Sequence, residues 1–468
     1  MNKVSGKTLT SWGLTPGAWF KAGIAKATEL REAGKKDREI IEVLKAMQDE
    51  MLPLQEPEPD PALVPVRRPD LVVMDPPITL YGEHDEKTVG QLNRCMTIGS
   101  AVKGVLCADG HLGYGHPIGG VIAYEDHISI SGVGFDIACG NMAVKLDTKF
   151  ADVQERIPEL IGDIGRTISF GVGRANGEKV DHELFESPLW GQIIGVDGAL
   201  KKKAQEQLGT VGSGNHYVDL FEDEDGHVWI GVHFGSRGLG HTITTRHLEL
   251  VGAKDGMEVD PALIPVDHDI GRSYINGVEL GGLYAYAGRE WVVEKVRSMI
   301  GGNVLETVHN HHNFAWRELH GNRHLWVVRK GATPAFPGQK GFVGGSMGDN
   351  AVILEGVEGQ KSRESLYSTV HGAGRVMSRM DAKGRSKLNP ETGKRERQQG
   401  RIRHDEWQSW IRERGVHLVG GEIDEAPQAY RRLPEVLAAQ GETVRILHTL
   451  RPFAVAMAGE GEIDPWKD

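Results

Sequence analysis

A chain of 468 residues, of which 39% are hydrophobic and 25% charged, has the composition of a globular protein and not of a disordered or fibrous one. Because no run of about 18 apolar residues occurs, we expect no membrane span, and the three cysteines favour a reduced, cytoplasmic protein over a disulfide framework. The net charge of −11 argues against a surface coated with nucleic acid, although a local basic patch can outweigh that sum.

The N-terminal region has the pattern of helices followed by an extended strap. Apolar and charged residues mix over 19–50 with helical spacing, and Gly34 is expected to interrupt the pattern. An acidic stretch with prolines at positions 53, 57, 59, 61 and 65 then predicts an extended segment. The sequence therefore predicts a helical appendage with its strap over 1–65, and one large unit over 66–468.

From about residue 70 to 350, short apolar segments alternate with glycine turns. Met142–Leu146, Val228–Phe234 and Leu325–Val328 have the β-branched and aromatic bias of strands. Arg289–Ile300 is predicted to be a helix, because its apolar residues recur on one face. The pattern favours a mixed α/β unit.

A carboxylate and a thiol occur together in a glycine-framed segment, GVGFDIACG, at 132–140. Asp136 and Cys139 are three residues apart, so both side chains can approach one ion. A hard oxygen beside a soft sulfur suits Mn²⁺, Fe²⁺, Co²⁺ or Zn²⁺ better than Mg²⁺ alone. Taken singly, a buried structural cysteine is the more common explanation of this pattern.

Three histidine-containing segments strengthen the metal hypothesis. His216 follows a glycine turn, His233 lies where a strand runs into a glycine turn, and a cluster at 309–313 contains His312. With Asp136 and Cys139 they provide enough ligands for two ions that share one residue. Two ions about 3.5–4 Å apart are a common device for phosphoryl chemistry.

Glycine turns beside cations predict phosphate binding further along the chain. Segments 329–333 (RKGAT) and 344–348 (GGSMG) have the composition of anion-binding nests. His371 is surrounded by small residues, Arg375 and Arg379, whose guanidinium groups suit phosphate oxygens. Neighbouring positive charge favours a neutral, nucleophilic imidazole, as formation of a phosphoramidate requires.

The segment 379–403 is a basic insertion that two interpretations explain equally well. It contains nine lysines and arginines against three acidic residues. Such runs are usually solvated loops, but this one could also hold RNA phosphates in an otherwise acidic protein.

Several blocks together resemble the tRNA-splicing ligase RtcB family of RNA ligases. They are ADGHLGYG at 108–115, GVGFDIACG at 132–140, GSGNH at 212–216, HFGSRGLGH at 233–241, HHN at 311–313, RKGAT at 329–333, GSMG at 345–348, HGAGRVMSR at 371–379 and the stretch 424–430. The resemblance covers roughly 95–380, with a weaker match around 424–430, and the ordered combination is far more specific than any single block.

The resemblance implies an enzyme that joins an RNA 3′-phosphate or 2′,3′-cyclic phosphate end to a 5′-hydroxyl end, in RNA repair or tRNA splicing. It implies two Mn²⁺ ions and GTP as cofactors, with sheets around a deep metal-containing cleft and helices outside. Cys139 would bridge the ions, with Asp136 and His216 at one and His233 and His312 at the other. His371 would carry GMP between GTP and the RNA.

The residues expected by this resemblance to contact GTP are Asn215, Tyr217, Asp219, Asn313, Arg329, Lys330, Ser346, Arg375 and Tyr430. Four features depart from the family pattern. Asp219 stands where glutamate is usual, the lysine–glycine pair expected near the C-terminus is missing, and both the segment 379–403 and the N-terminal region differ. We therefore expect a divergent branch.

Two other functions fit part of the pattern. A two-metal cyclic phosphodiesterase would use the same five metal ligands without His371, so His371 and its arginines favour the ligase. A non-catalytic RNA-binding protein would need only the basic segment and would leave the predicted ligands unexplained.

Overall fold

The computed structural model describes residues 4–14, 19–51, 60, 63, 77–388 and 395–459. It divides the chain into two compact units, Met1–Val64 and Pro65–Asp468. Most of the predicted proline strap lies outside the described residues. Within the described residues, no helix has the length and apolar character needed to cross a membrane.

The helices have the following bounds in chain order: α1 (Gly6–Ser11), α2 (Phe20–Glu32), α3 (Asp37–Met51), α4 (Glu86–Met96), α5 (Ile130–Val133), α6 (Phe150–Val153), α7 (Ile157–Thr167), α8 (Gly198–Gln207), α9 (Arg237–Leu250), α10 (Asp269–Ile300), α11 (Gln360–Glu364), α12 (Arg379–Lys383), α13 (His404–Glu413) and α14 (Leu433–Gln440).

The strands have the following bounds: β1 (Ile78–Leu80), β2 (Ala101–His111), β3 (Ile118–Tyr124), β4 (His127–Ser129), β5 (Gly140–Lys149), β6 (Tyr217–Glu222), β7 (His227–Phe234), β8 (Leu263–Pro265), β9 (Val304–His311), β10 (Asn313–His320), β11 (Arg323–Lys330), β12 (Ala332–Pro334), β13 (Lys340–Val343), β14 (Ala351–Gly356), β15 (Ser368–Val370), β16 (Ser386–Leu388), β17 (Arg395–Arg397), β18 (His417–Val419) and β19 (Val444–Met457).

The described part of the first unit consists mainly of helices. Helices α2 and α3 occupy the predicted region and are separated next to Gly34, whose φ of 80° lies in the left-handed region that glycine tolerates. Leu9, Trp19 and Leu44 belong to the unit's own small hydrophobic core.

The second unit contains two large sheets and confirms the predicted mixed α/β class. One sheet has the strand order β1-β2-β3-β11-β10, and the other has the order β13-β14-β19-β6-β7-β5-β9, with β18 paired to β19. The three predicted strands lie within β5, β7 and β11. Buried side chains of α7 and α10 pack on the second sheet and exclude water from its core.

Helix α10 is longer than the sequence pattern predicted, because it begins at Asp269 and not at Arg289. Its first half is rich in glycine, which disfavours helix by about 1 kcal/mol per residue relative to alanine. Tertiary packing requires these glycines. A Cβ on Gly277 would lie 2.7 Å from Ile243, and one on Gly281 would lie 2.8 Å from Ile137. Close approach of α10 to its neighbours therefore outweighs helix propensity.

Four adjacent strands of the second sheet bring their ends to one edge. Gly140, the first residue of β5, pairs with Phe234 at the end of β7 and with His311 at the end of β9. Tyr217, the first residue of β6, pairs with His233 of β7. The residues next to these ends include the predicted ligands, so antiparallel register makes ligands distant in sequence converge.

Candidate active site

A cavity of about 930 Å³ lies over these strand ends. Most of the predicted site residues line it, namely Asp136, Cys139, Asn215, His216, Tyr217, Asp219, His233, His312, Asn313, Ser346, His371, Arg375 and Tyr430. The structure does not bring the side chains of Arg329 and Lys330 into this lining.

The five predicted metal ligands form two groups that share Cys139. One group is Cys139, His233 and His312, and the other is Asp136, Cys139 and His216; within each group the ligand atoms lie within 4.8 Å of one another. Cys139 Sγ lies 3.6 Å from Nε2 of both His216 and His233. Asp136 Oδ2 lies 3.1 Å from His216 Nε2. This geometry suits two cations bridged by one thiolate.

A hydrogen bond to His233, and the burial of His233 and His312, favour the neutral imidazole that binds metal ions. His233 Nδ1 lies 2.5 Å from Asn141 Oδ1, and Asn141 Nδ2 donates to the Phe342 carbonyl, so the amide oxygen faces the ring. Nδ1 of His233 therefore carries the proton and Nε2 presents its lone pair to the cluster. Burial lowers the pKa of His233 and His312 well below the usual range, which keeps both rings neutral.

Two features of this cluster fit a bound cation. His312 Nδ1 is buried and has no hydrogen-bond partner among the described residues. Burial and the neighbouring Asp136 carboxylate raise the pKa of the Cys139 thiol well above its ordinary value. A divalent cation would satisfy the imidazole nitrogen and stabilise the thiolate.

Arg289 of α10 connects the two segments that contain Cys139 and His233. Its fully buried guanidinium donates to the carbonyls of Ala138 and Phe234, which adjoin Cys139 and His233. It also contacts the ring nitrogens of His309 and His311 at 2.8 and 3.0 Å. Burial lowers the pKa of Arg289 to about 10, so the side chain stays charged at neutral pH.

Arg289→Met is expected to destabilise the protein by about 3 kcal/mol or more, because it leaves buried carbonyls and imidazoles without a donor. Urea unfolding with chelator present measures this loss without a contribution from metal. Arg297→Met provides a control on the same helix, since Arg297 is partly exposed and pairs with Glu294; its loss should be about 1 kcal/mol or less. Equal losses of unfolding free energy for the two substitutions would contradict a stabilising role of the buried Arg289 contacts.

His371 is oriented by a buried carboxylate. Its Nδ1 lies 2.6 Å from Asp109 Oδ2, and the same oxygen accepts from the backbone amides of His371 and Gly372. Although burial alone would raise it, the contacts with His371 hold the pKa of Asp109 below its ordinary value. An ionised Asp109 fixes the proton on Nδ1 and leaves the ring's lone pair on Nε2. The His371 ring centroid lies 4.9 Å from that of His312.

Asp109→Asn is expected to slow any reaction at His371 Nε2 by roughly 100- to 10 000-fold, because an amide no longer enforces the required tautomer. The measurement is the single-turnover rate of the covalent nucleotide capture that the sequence resemblance leads us to expect at His371, with the ion content of wild type and variant matched. Capture at the wild-type rate would show that Asp109 is not needed for orientation.

Tyr217 and Asp219 place buried polar groups in the cavity wall. The Tyr217 hydroxyl and Asp219 Oδ1 are buried without hydrogen-bond partners among the described residues. Burial raises the pKa of Asp219 well above its ordinary value. Both groups are therefore available to a polar ligand.

Other predicted nucleotide contacts already have partners. Asn313 accepts from the Gly331 amide at 2.7 Å and donates to the Asp136 carbonyl at 3.3 Å. Ser346 Oγ donates to Asp349. Asn215 Nδ2 lies 3.5 Å from His233 Nε2, beside the cluster.

Arg329 and Lys330 stabilise the fold around the cavity. Arg329 is fully buried and pairs with Glu318 at 2.6 Å. Lys330 Nζ donates to the carbonyls of Tyr114 and Ser131, and burial lowers its pKa to about 8. The charged ends of both side chains bind a carboxylate or backbone carbonyls of the protein. They do not face the cavity, where an anion-binding nest would require them.

Arg375 and Arg379 are held by acidic residues at the cavity wall. Arg375 donates to the Tyr430 hydroxyl at 2.9 Å and to Glu425 at 3.3 Å. Arg379 forms ion pairs with Glu425 and Asp424. The first turn of the predicted basic insertion is thus charge-compensated, and a phosphate would compete with carboxylates for these guanidinium groups.

Three supporting residues were not identified from the sequence. Asp109 stands in the block at 108–115, but its role depends on contact with a residue 262 positions away. Asn141 and Arg289 act through tertiary contacts, and no local pattern distinguishes them from ordinary polar residues.

The fold and the cluster define a mixed α/β protein with a candidate two-ion centre beside a carboxylate-held histidine. The chain belongs to the tRNA-splicing ligase RtcB family, whose model matches residues 91–192 and 191–458.

Similarity to curated relatives extends over most of the chain. This chain is 31% identical to "RNA-splicing ligase RtcB" of Escherichia coli strain K12 over 376 residues. The alignment covers 73% of this chain and 87% of the relative. It is 28% identical to "tRNA-splicing ligase RtcB" of Thermococcus kodakarensis over 474 residues, covering 84% and 95% of the two chains. "tRNA-splicing ligase RtcB" of Archaeoglobus fulgidus is 30% identical, with 76% and 88% covered.

Proposed function

We propose that this protein joins RNA 3′-phosphate or 2′,3′-cyclic phosphate ends to 5′-hydroxyl ends, with GTP and two Mn²⁺ ions, through guanylylated His371. The observation that supports this most is the Asp109–His371 contact of 2.6 Å at Nδ1. It leaves Nε2 free to attack phosphorus in the cavity that also contains the five predicted ligands.

The proposed ligation has three steps. His371 Nε2 attacks the α-phosphorus of GTP, and pyrophosphate leaves. An RNA 3′-phosphate oxygen then attacks the same phosphorus, which breaks the P–N bond and transfers GMP to the RNA end. The 5′-hydroxyl of the second strand displaces GMP and forms the phosphodiester. A 2′,3′-cyclic phosphate first has to be opened by water.

Asp136, Cys139, His216, His233 and His312 would hold the two ions. Bound there, the ions supply charge that stabilises attacking and leaving phosphate oxygens. Asp109 keeps the proton on Nδ1 through each transfer. Tyr217 and Asp219 offer buried polar groups to the guanine base, with Tyr430 in the same cavity.

RNA as the substrate is supported by the relatives and by local charge. The relatives from Escherichia coli and Thermococcus kodakarensis are named as RNA-splicing and tRNA-splicing ligases. Although the chain carries a net charge of −11, Lys203, Arg237, Arg375 and Arg379 all line the cavity. Asp85, Asp136, Asp219 and Glu425 line the same cavity, so the four cations offer individual phosphate contacts and not an overall cationic surface.

The test uses two short RNA strands, one with a 2′,3′-cyclic phosphate and one with a 5′-hydroxyl. We expect a joined product that requires both GTP and Mn²⁺. Opening of the cyclic phosphate without joining, at any GTP concentration, would refute the ligase and favour the two-metal cyclic phosphodiesterase. ATP in place of GTP provides the nucleotide control.

A further inference from the structure

A stacked aromatic pair lies in the cavity wall beside the candidate metal centre. The rings of Phe135 and His241 are 5.0 Å apart between centroids, with an angle of 26° between their planes. Both residues line the cavity and both are half-buried. Phe135 directly precedes Asp136, so the pair adjoins the metal cluster without belonging to it.

The position of the pair is set by helix α9. His241 lies on α9, and Thr244 of the same helix donates through Oγ1 to the Gly134 carbonyl at 3.0 Å. Gly134 has a φ of 79°, so the chain turns sharply just before Phe135. The stacking contact and this hydrogen bond together fix the Phe135 ring against α9.

Helix α9 also relates the pair to the cluster. Arg237 Nη1 lies 3.4 Å from His216 Nδ1, which places this guanidinium beside the predicted ligands. His241 is four residues further along the chain, and both side chains line the same cavity.

A cation accompanies the pair at the cavity wall. Lys203 of α8 is exposed and lines the cavity, and its Nζ would lie 3.4 Å from a Cβ placed on Gly238. Aromatic rings flanked by cations are the usual surface for single-stranded nucleic acid, because bases stack on the rings while cations follow the backbone.

We propose that Phe135 and His241 form a stacking subsite for the terminal base of the 3′-phosphate RNA strand, with its phosphate beside Arg237. This inference rests on the proposed function, since it assigns a position to that function's RNA substrate. Because every base has a π-face, the subsite accepts any of the four bases. It also orients the terminal phosphate toward the ions.

The test is a binding cycle without GTP, so that it is independent of covalent capture. Two dye-labelled RNA strands end in a 3′-phosphate, one with an ordinary terminal base and one with an abasic terminal nucleotide. Their dissociation constants are measured by fluorescence anisotropy for wild type, Phe135→Ala and Phe135→Tyr in the presence of Mn²⁺.

We expect removal of the terminal base to weaken binding to wild type roughly tenfold and to have little effect on Phe135→Ala. Phe135→Tyr should retain the full base-dependent difference, as should Lys202→Ala on α8, whose side chain pairs with Glu206. His241→Ala and His241→Phe repeat the comparison if Phe135→Ala does not fold.

An equal base-dependent difference in wild type and Phe135→Ala would overturn the subsite. A second pair of strands has the ordinary or the abasic nucleotide at a 5′-hydroxyl end and carries no 3′-phosphate. A base-dependent difference found only with this second pair would overturn the assignment to the 3′-phosphate strand. RNA joining by wild type without any base-dependent difference would refute this inference alone. A base-dependent difference without joining or capture would instead count against the proposed function.

Discussion

His371→Ala is expected to abolish covalent capture of the guanosine nucleotide. Nε2 of His371 is the nitrogen that the Asp109 contact leaves free in the cavity. In the proposed reaction, no other nucleophile forms the P–N bond. Covalent capture and RNA joining should therefore both fall below detection. Ion content should be unchanged, because the five predicted ligands remain.

The measurement is incubation with Mn²⁺ and α-³²P-labelled GTP, followed by a denaturing gel and acid treatment. A phosphoramidate label is lost in acid, whereas a phosphate ester label is retained. His417→Ala is the matched control, because His417 is an exposed histidine of β18. Persistent acid-labile label on His371→Ala would move the nucleophile to another residue.

Cys139→Ala is expected to remove both ions together. Its sulfur belongs to both ligand groups and lies 3.6 Å from both His216 and His233. Changes to residues that merely support ligands weaken metal binding about 10- to 100-fold. Loss of a shared thiolate should exceed that range, and RNA joining should be lost with the ions.

Elemental analysis after gel filtration measures this effect as ions per chain. Cys107→Ala is the control, because Cys107 is buried in a separate hydrophobic cluster and should leave the ion content at the wild-type value. Retention of one tightly bound ion by Cys139→Ala would refute the shared position. Retention of both would mean that Cys139 is not a ligand.

The sequence singled out the candidate ligands, and the mixed α/β class it predicted is confirmed, but it did not specify the strand pairing that brings those ligands together. Asp136, Cys139, His216, His233 and His312 were singled out by glycine turns and strand ends, and the structure brings them together. Their convergence depends on the register of β6, β7, β5 and β9, which pairs residues far apart in the chain. Local patterns locate strand ends but do not specify which ends meet.

Arg329 and Lys330 show where local patterns mislead. A cationic pair before a glycine suggested an anion-binding nest. Successive side chains of a strand point to opposite faces, and protein covers both faces here, since Arg329 and Lys330 are both buried. Both side chains turn into the protein, where Glu318 and backbone carbonyls are their partners. Only tertiary structure distinguishes a cation that binds a ligand from one that satisfies buried oxygens.

The position of β19 in the second sheet has a consequence for biosynthesis. Residues 444–457 lie between β14 and β6, although they are the last described strand in the chain. During translation, the edges of β14 and β6 that pair with β19 therefore stay unpaired until this strand emerges from the ribosome. Such edges pair readily with other chains. Nascent chains should thus depend on chaperones until the final strand inserts, and truncation before residue 444 should produce aggregates and not a smaller folded protein.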